Sequence, residues 1–303
     1  MSPHISLLMV APILATMLGC RTVPTAGALR APERGRIEKV ETELIGESGI
    51  ARSEELRITD ADGKLHEFYL RSPRTVDRPQ PAVFVLAGFE TGKAALDLLD
   101  DRNDLFLLSM DYPFQGSKDF KGLGSLRALP ALRRMGFDTV DAGALALDYL
   151  SQHPAVDREK LILLGVSFGS VFATALGALD ERARAIVLIY GGGDVPALVD
   201  NAVRSSWLPS WLIRPSSRLF FGEFEPLDHI GGISPRYLLM INSRQDELVP
   251  PPLATALYER ARDPKKLIWY ETGHMDLFDP GLIRQLTRQV LEELRTAGYL
   301  APP

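Results

Sequence analysis

The stretch Leu163-Leu164-Gly165-Val166-Ser167-Phe168-Gly169-Ser170 sets a serine in a GxSxG pattern where strand character gives way to helix character. Residues 160–166 form a short apolar run entered from charge, and residues 170–178 are small and suited to a helix. A chain that passes from buried strand to helix in so few residues must bend sharply. The serine then takes a strained backbone with its hydroxyl pushed outward, and glycines flank it because a Cβ there would collide with neighbouring elements. This predicts an α/β fold and makes Ser167 the candidate nucleophile. The pattern also fits a tight strand-to-helix turn of some other α/β protein, such as a phosphate-binding loop. Residues 165–170, however, match neither GxGxxG nor GxxxxGK[ST], so the nucleotide-binding fingerprints are missing.

From Lys39 onward, β and α character alternate, which predicts a mostly parallel central sheet with helices on both faces. Segments 40–45, 55–58 and 65–70 read as opening strands, antiparallel because short turns such as Asp60-Ala61-Asp62-Gly63 join them. Apolar runs at 82–86, 105–110, 161–166, 185–190, 237–241 and 267–270 suit strands buried on both faces. Helical stretches fall at 92–99, 136–150, 170–179, 252–261 and 281–297. One segment breaks the alternation: residues 192–232, with Trp207, Trp211, Phe220, Phe221 and Phe224 and interrupted by Pro209 and Pro215, read as a small helical cap. Its aromatic residues serve either local packing or a substrate pocket, with Trp207, Trp211 and Phe221 as the candidate lining.

A net charge of −5 without a basic cluster argues against a nucleic-acid partner. The lone cysteine, Cys20, excludes an internal disulfide, and no Cys/His spacing suggests a metal; no cofactor is expected. Residues 5–18 are uncharged and mostly apolar, short of the ~20 residues of a comfortable membrane span but fit for the core of an export signal. The ending Met17-Leu18-Gly19-Cys20 resembles a bacterial lipoprotein signal, which implies cleavage before Cys20 and lipid attachment to it. A plain cleaved signal, or an uncleaved anchor with Cys20 incidental, fits the same residues. The expected organisation is a signal over 1–19, a flexible tether over 20–37 rich in Ala, Pro, Gly and Arg, and a folded domain over 38–303. The expected location is the cell envelope, outside the cytoplasm, with membrane contact through Cys20 alone.

Two later loops complete a constellation. After the strand at 237–241 comes Asn242-Ser243-Arg244-Gln245-Asp246-Glu247-Leu248-Val249-Pro250, and after 267–270 comes Glu271-Thr272-Gly273-His274-Met275. Ser167, Asp246 and His274 thus each follow a buried strand, in the chain order Ser, Asp, His, so that separate loops can converge on one crevice. A serine hydroxyl needs an imidazole to take its proton, and the imidazolium needs a carboxylate to orient and stabilise it. Glu247 is the second choice for the acid, His229 the second choice for the base, and Asp276 reads as a helix cap.

GVSFG, INSRQDELVP and ETGHMD together resemble the α/β-hydrolase superfamily, in particular its single-domain bacterial esterases and dienelactone-hydrolase-like members, over about residues 40–300. The resemblance implies Ser167 as nucleophile, His274 as base and then acid, and Asp246 as the orienting carboxylate. It also implies oxyanion donors at the backbone amides of Phe168 and Phe89, the latter in the loop Ala87-Gly88-Phe89-Glu90-Thr91-Gly92, where Ala87 replaces the usual histidine. Ser243 stands where glycine is frequent. Asp111-Tyr112-Pro113 resembles a strand end that shapes the crevice, and fits a simple turn equally well. The implied activity is hydrolysis of a small-molecule carboxylic ester through an acyl-serine. Thioesterase or peptidase action, or a surface binding protein without turnover, are the alternatives.

Overall fold

The computed structural model describes residues 29, 35–115, 123–203, 209–276 and 279–301. Among the described residues nine strands form one sheet: β1 (Ile37–Glu47), β2 (Ala51–Asp60), β3 (Leu65–Pro73), β4 (Gln80–Leu86), β5 (Phe106–Met110), β6 (Val156–Val166), β7 (Ala185–Ile189), β8 (Tyr237–Ser243) and β9 (Lys265–Tyr270). Their spatial order is β1-β2-β3-β5-β4-β6-β7-β8-β9. The first three run antiparallel and β3 meets β5 antiparallel, while β5 through β9 are parallel neighbours. The expected mostly parallel sheet is therefore present, with an antiparallel edge. β5 lies on one side of β4 and β6 on the other, so the strand order reverses at β4. In open α/β sheets, crevices form at such a switch point, beyond the carboxyl ends of the strands.

The helices are α1 (Leu123–Gln152), α2 (Phe168–Leu179), α3 (Val195–Ala202), α4 (Ser210–Phe221), α5 (Pro226–His229), α6 (Pro251–Arg260) and α7 (Pro280–Thr296), with a 3₁₀ segment at Gly92–Leu98. Alternate residues of the central strands face opposite sides. Phe84, Leu86, Leu163 and Leu188 pack with Met135, Leu147, Phe172 and Leu176 of α1 and α2. Val83, Val85, Val187 and Ile241 pack with Leu282, Leu286, Val290 and Leu294 of α7. α1 starts well ahead of the predicted 136, because Pro130 inside the helix masks its first turns from a pattern reading. α7 is capped by Asp279, whose carboxylate accepts from the amides of Gly281 and Leu282; Asp276, expected to cap, is not the capping residue.

The folded body begins earlier than residue 38. Leu29 packs against the core, the Gly35 amide donates to Asp148 Oδ2 at 2.9 Å, and Arg36 pairs with Asp60 and Asp62. The end of the segment read as a flexible tether is thus held to the sheet and α1. Cys20 and the apolar run before it lie outside the described residues. No helix among the described residues is long and apolar enough to cross a membrane.

Candidate active site

The turn between β6 and α2 carries Ser167 with φ 52° and ψ −115°, a positive φ on a non-glycine residue. Such strain persists only where the surroundings fix it, and here they do. The Ser167 amide donates to Ile189 O at 2.8 Å, continuing the parallel ladder one step past the strand, and Ser170 Oγ donates to Ser167 O at 2.6 Å. Both glycines are forced by close approach. A Cβ on Gly165 would lie 2.5 Å from Ala173 Cβ and 2.7 Å from Ser170 Cα. One on Gly169 would lie 2.0 Å from Leu86 O and 2.7 Å from Ala87 O. The second contact presses the start of α2 against the end of β4, from which the loop to Phe89 departs.

Asp246 is 3% exposed. Its Oδ1 accepts from the Leu248 and Val249 amides at 2.8 and 2.9 Å, which leaves Oδ2 to accept from His274 Nδ1 at 2.7 Å. With Nδ1 committed as donor, Nε2 is the acceptor nitrogen, and it sits 2.9 Å from Ser167 Oγ. Three side chains distant in sequence meet in one hydrogen-bonded line. Glu247, next to the acid, is exposed and takes no part. The remaining described histidines are engaged elsewhere: His66 with Asp60, His153 against Phe106 and Tyr149, and His229 with Glu223 O.

Phe168 is the first residue of α2, where amides have no acceptor within the helix. Phe89 lies opposite it, the two rings 5.4 Å apart and edge-on. The loop between is fixed from below by Tyr112, whose hydroxyl donates to Ala87 O at 2.5 Å and whose ring packs on Phe89 and Phe168. Burial pushes the Tyr112 phenol well above its ordinary range, so it stays a donor. Of the two readings of Asp111-Tyr112-Pro113, crevice shaping is the one the packing favours. Phe114, unmarked in the sequence, adds its ring to Phe89 at 5.7 Å.

Two further residues escape a sequence reading. Tyr190 directly follows β7 with φ 54°, buried, its ring 4.9 Å from the His274 ring. Burial, with the Asp246 carboxylate nearby, raises its phenol. Ser243 is fully buried and joins the two loops: its Oγ donates to Thr272 O and accepts from the Thr272 amide at 3.1 Å. The departure from glycine thus ties the loop of Asp246 to the loop of His274.

Of the two readings of the cap aromatics, local packing is the one the described contacts support. Trp211 is 72% exposed, and Phe221 packs half-buried against the core. Ile213 and Ser217 define the buried face of α4, Phe221 continues it at the next i+4 step, and Trp211, two residues before Ile213, falls on the far side. Phe224 is buried against Phe137 and Phe172, and Arg133 of α1 pairs with Glu223, so the described cap aromatics mainly pack. Trp207 lies outside the described residues. Among the described residues, no group of three or more His, Cys, Asp or Glu is arranged to hold a metal.

Comparison with known proteins agrees with the fold. An acetyl xylan esterase from Paenibacillus sp. R4 superposes with a TM-score of 0.63 at 18% identity, over 84% of this chain and 89% of that one. The α/β hydrolase GrgF from Penicillium sp. sh18 superposes with a TM-score of 0.59 at 17% identity, over 80% of this chain and 98% of that one. The chain has the α/β-hydrolase fold. Within this α/β-hydrolase fold, residues 144–207 match the family described as BAAT / Acyl-CoA thioester hydrolase C terminal, a stretch that contains the Ser167 turn. In sequence, the chain is 25% identical over 241 residues to the uncharacterized protein YfhR of Salmonella typhi, covering 75% of this chain and 76% of that protein.

Proposed function

We propose that this chain is a serine hydrolase that cleaves carboxylic esters through an acyl-enzyme. The observation that carries the reading is the unbroken line from Ser167 Oγ to His274 Nε2 and from His274 Nδ1 to the buried Asp246 carboxylate. In this reading the Ser167 proton passes to His274 Nε2 as Oγ bonds to the ester carbonyl carbon, and Asp246 stabilises the imidazolium. The amides of Phe168 and Phe89 receive the negative oxygen. Collapse of the tetrahedral species breaks the bond to the leaving oxygen, which takes the proton from His274. Water, deprotonated by the same imidazole, then releases the carboxylic acid and restores the serine. No metal or cofactor is needed for any of these steps.

Hydrolysis of p-nitrophenyl acetate tests the proposal. Ser167→Ala or His274→Ala is expected to lower kcat by on the order of 10⁵ to 10⁶, since members of such a unit fail together. A loss under tenfold for either refutes the assignment, and no turnover by the parent protein favours a binding protein of the same fold. Thioester cleavage is the second reading, favoured by the family match over residues 144–207. A kcat/KM for acetyl-CoA above that for p-nitrophenyl acetate would select it.

For the amino terminus we propose export and lipid attachment at Cys20, with the protein held at the cell envelope. Cys20→Ser is expected to abolish labelling by a lipid precursor. Membrane attachment that persists in this variant would point to an uncleaved anchor.

A further inference from the structure

A cavity of about 290 Å³ lies on the α7 face of the sheet, between that helix and the 3₁₀ segment Gly92–Leu98. Its floor is strand surface, with Val83, Val85 and Val166 pointing up. Ala95 forms one wall, and Thr287 and Leu291 of α7 form the other. The space is partly open to solvent, with Asp100, Arg102, Arg284 and Arg288 also in its lining, but the surface it offers is mainly apolar. It also approaches the lower end, about 300 Å³, of known ligand pockets. Its origin is local: a seven-residue 3₁₀ segment with Ala94 and Ala95 at its centre covers β4 and β5 less fully than the seventeen-residue α7 covers its part of the sheet.

The cavity is a slot with a direction. Gly88 and Met275 stand at one end, and Leu105 and Leu294 at the other. From Val83 to Ala87, both lining residues, there are four strand steps, about 13 Å at 3.3 Å each. Along α7, Ile283 to Leu294 gives a similar ~16 Å at 1.5 Å per residue. That length holds an extended hydrocarbon of about ten carbons, because each carbon–carbon bond of about 1.5 Å advances a zigzag chain by somewhat less than its length. One end is lined by chain neighbours of the proposed chemistry. Gly88 precedes Phe89, whose amide would hold the acyl oxygen; Val166 precedes Ser167; Met275 follows His274. The end beside Gly88 therefore adjoins the loop whose amide would hold the acyl oxygen.

We propose that this slot is the acyl subsite, and that the substrates are esters of straight, medium-length fatty acids of up to about ten carbons. The proposal rests on the ester-hydrolase reading, and acetate esters separate the two, because an acetyl group does not reach the slot. The experiment is a kcat/KM series on p-nitrophenyl acetate, butyrate, octanoate and decanoate for the parent, Ala95→Trp and Thr287→Trp. Parent kcat/KM is expected to rise with acyl length, by at most about fourfold per buried methylene. Each variant, its indole filling the slot, is expected to lose more than about tenfold on decanoate while staying within about twofold on acetate. A parent profile that falls from acetate onward, or equal losses on acetate and decanoate, overturns the slot. So does a length dependence seen with alkyl acetates in place of acyl esters. Absence of acetate turnover in the parent would instead sink the hydrolase reading itself. A readout without turnover guards against a misfolded variant: Ser167→Ala is expected to bind decanoic acid saturably in calorimetry, and Ser167→Ala/Thr287→Trp, melting no lower, is expected not to. Equal binding by both proteins overturns the proposal.

Discussion

Gly169→Ala is the sharpest probe of the way the candidate nucleophile and the proposed oxyanion loop are held together. The added methyl carbon would stand 2.0 Å from Leu86 O, 2.5 Å from Leu86 C and 2.7 Å from Ala87 O, where comfortable contact is about 3.5 Å. All three are backbone atoms, so no side-chain rotation relieves the clash; either α2 or the end of β4 must move by roughly 1 Å or more. Overpacking of this kind costs about 1–3 kcal/mol. At about 2–4 °C per kcal/mol for a domain of this size, Tm should fall by several degrees. The sign is diagnostic, because alanine favours a helix over glycine by about 1 kcal/mol and would otherwise raise stability. A displacement near 1 Å between nucleophile and oxyanion donors costs on the order of 10² in kcat. Gly273→Ala is the control: it makes the same change one residue from the candidate base, but with no atom within 4 Å of the new methyl. Thermal melts and p-nitrophenyl acetate kinetics on both variants decide the matter. Equal effects of the two substitutions, or full activity in Gly169→Ala, would refute the argument.

Three other expectations follow from the hydrogen bonds. Ser243→Ala removes the Oγ shared between the two loops and strands the Thr272 amide; calorimetry should register a loss of about 1–3 kcal/mol, with kcat lowered more than KM is changed. Tyr112→Phe leaves Ala87 O without its donor and loosens the loop before Phe89; kcat should fall while KM for p-nitrophenyl acetate holds, and an unchanged kcat would deny Tyr112 its positioning role. Asp60 is buried, which alone would raise its pKa, but hydrogen bonds from His66 and from the Lys64 and Asp62 amides hold it below 3.8. A lowered carboxylate contributes stability above its unfolded pKa and loses it as the pH falls through the folded value. The stability gap between the parent and Asp60→Asn, followed by denaturant titration, should therefore be full at neutral pH and shrink below pH 3.8; a gap that is constant with pH would contradict this.

The parallel strands and the Ser, Asp, His order were legible because each depends on a short contiguous signal: an apolar run, then a chemically distinctive residue in the loop beyond it. Gly165 and Gly169 were legible for the same reason, since the turn needs them locally. What escaped depends on atoms far apart in sequence. Nothing near Tyr190 announces that its ring lies under His274, or that Ser243 bonds across to Thr272. The start of α1 was hidden by Pro130, which a long helix tolerates once its other turns are packed. Trp211 and Phe221 show the limit from the other side: aromatic content marks a segment as packed but does not say toward what, and the helical phase of α4 turns one residue outward and the other onto the core. The slot beside α7 could not be read at all, because an empty space has no residue to represent it.

The central claim is that one hydroxyl, that of Ser167, forms a covalent bond to substrate when assisted by His274. Intact-mass and peptide mapping after reaction with a fluorophosphonate tests it most directly. The account expects a single adduct on the peptide containing Ser167 in the parent protein, and none in Ser167→Ala or His274→Ala on the same timescale. An adduct on a different residue, or ester turnover that continues in a protein whose Ser167 carries no label after complete inactivation, would contradict it.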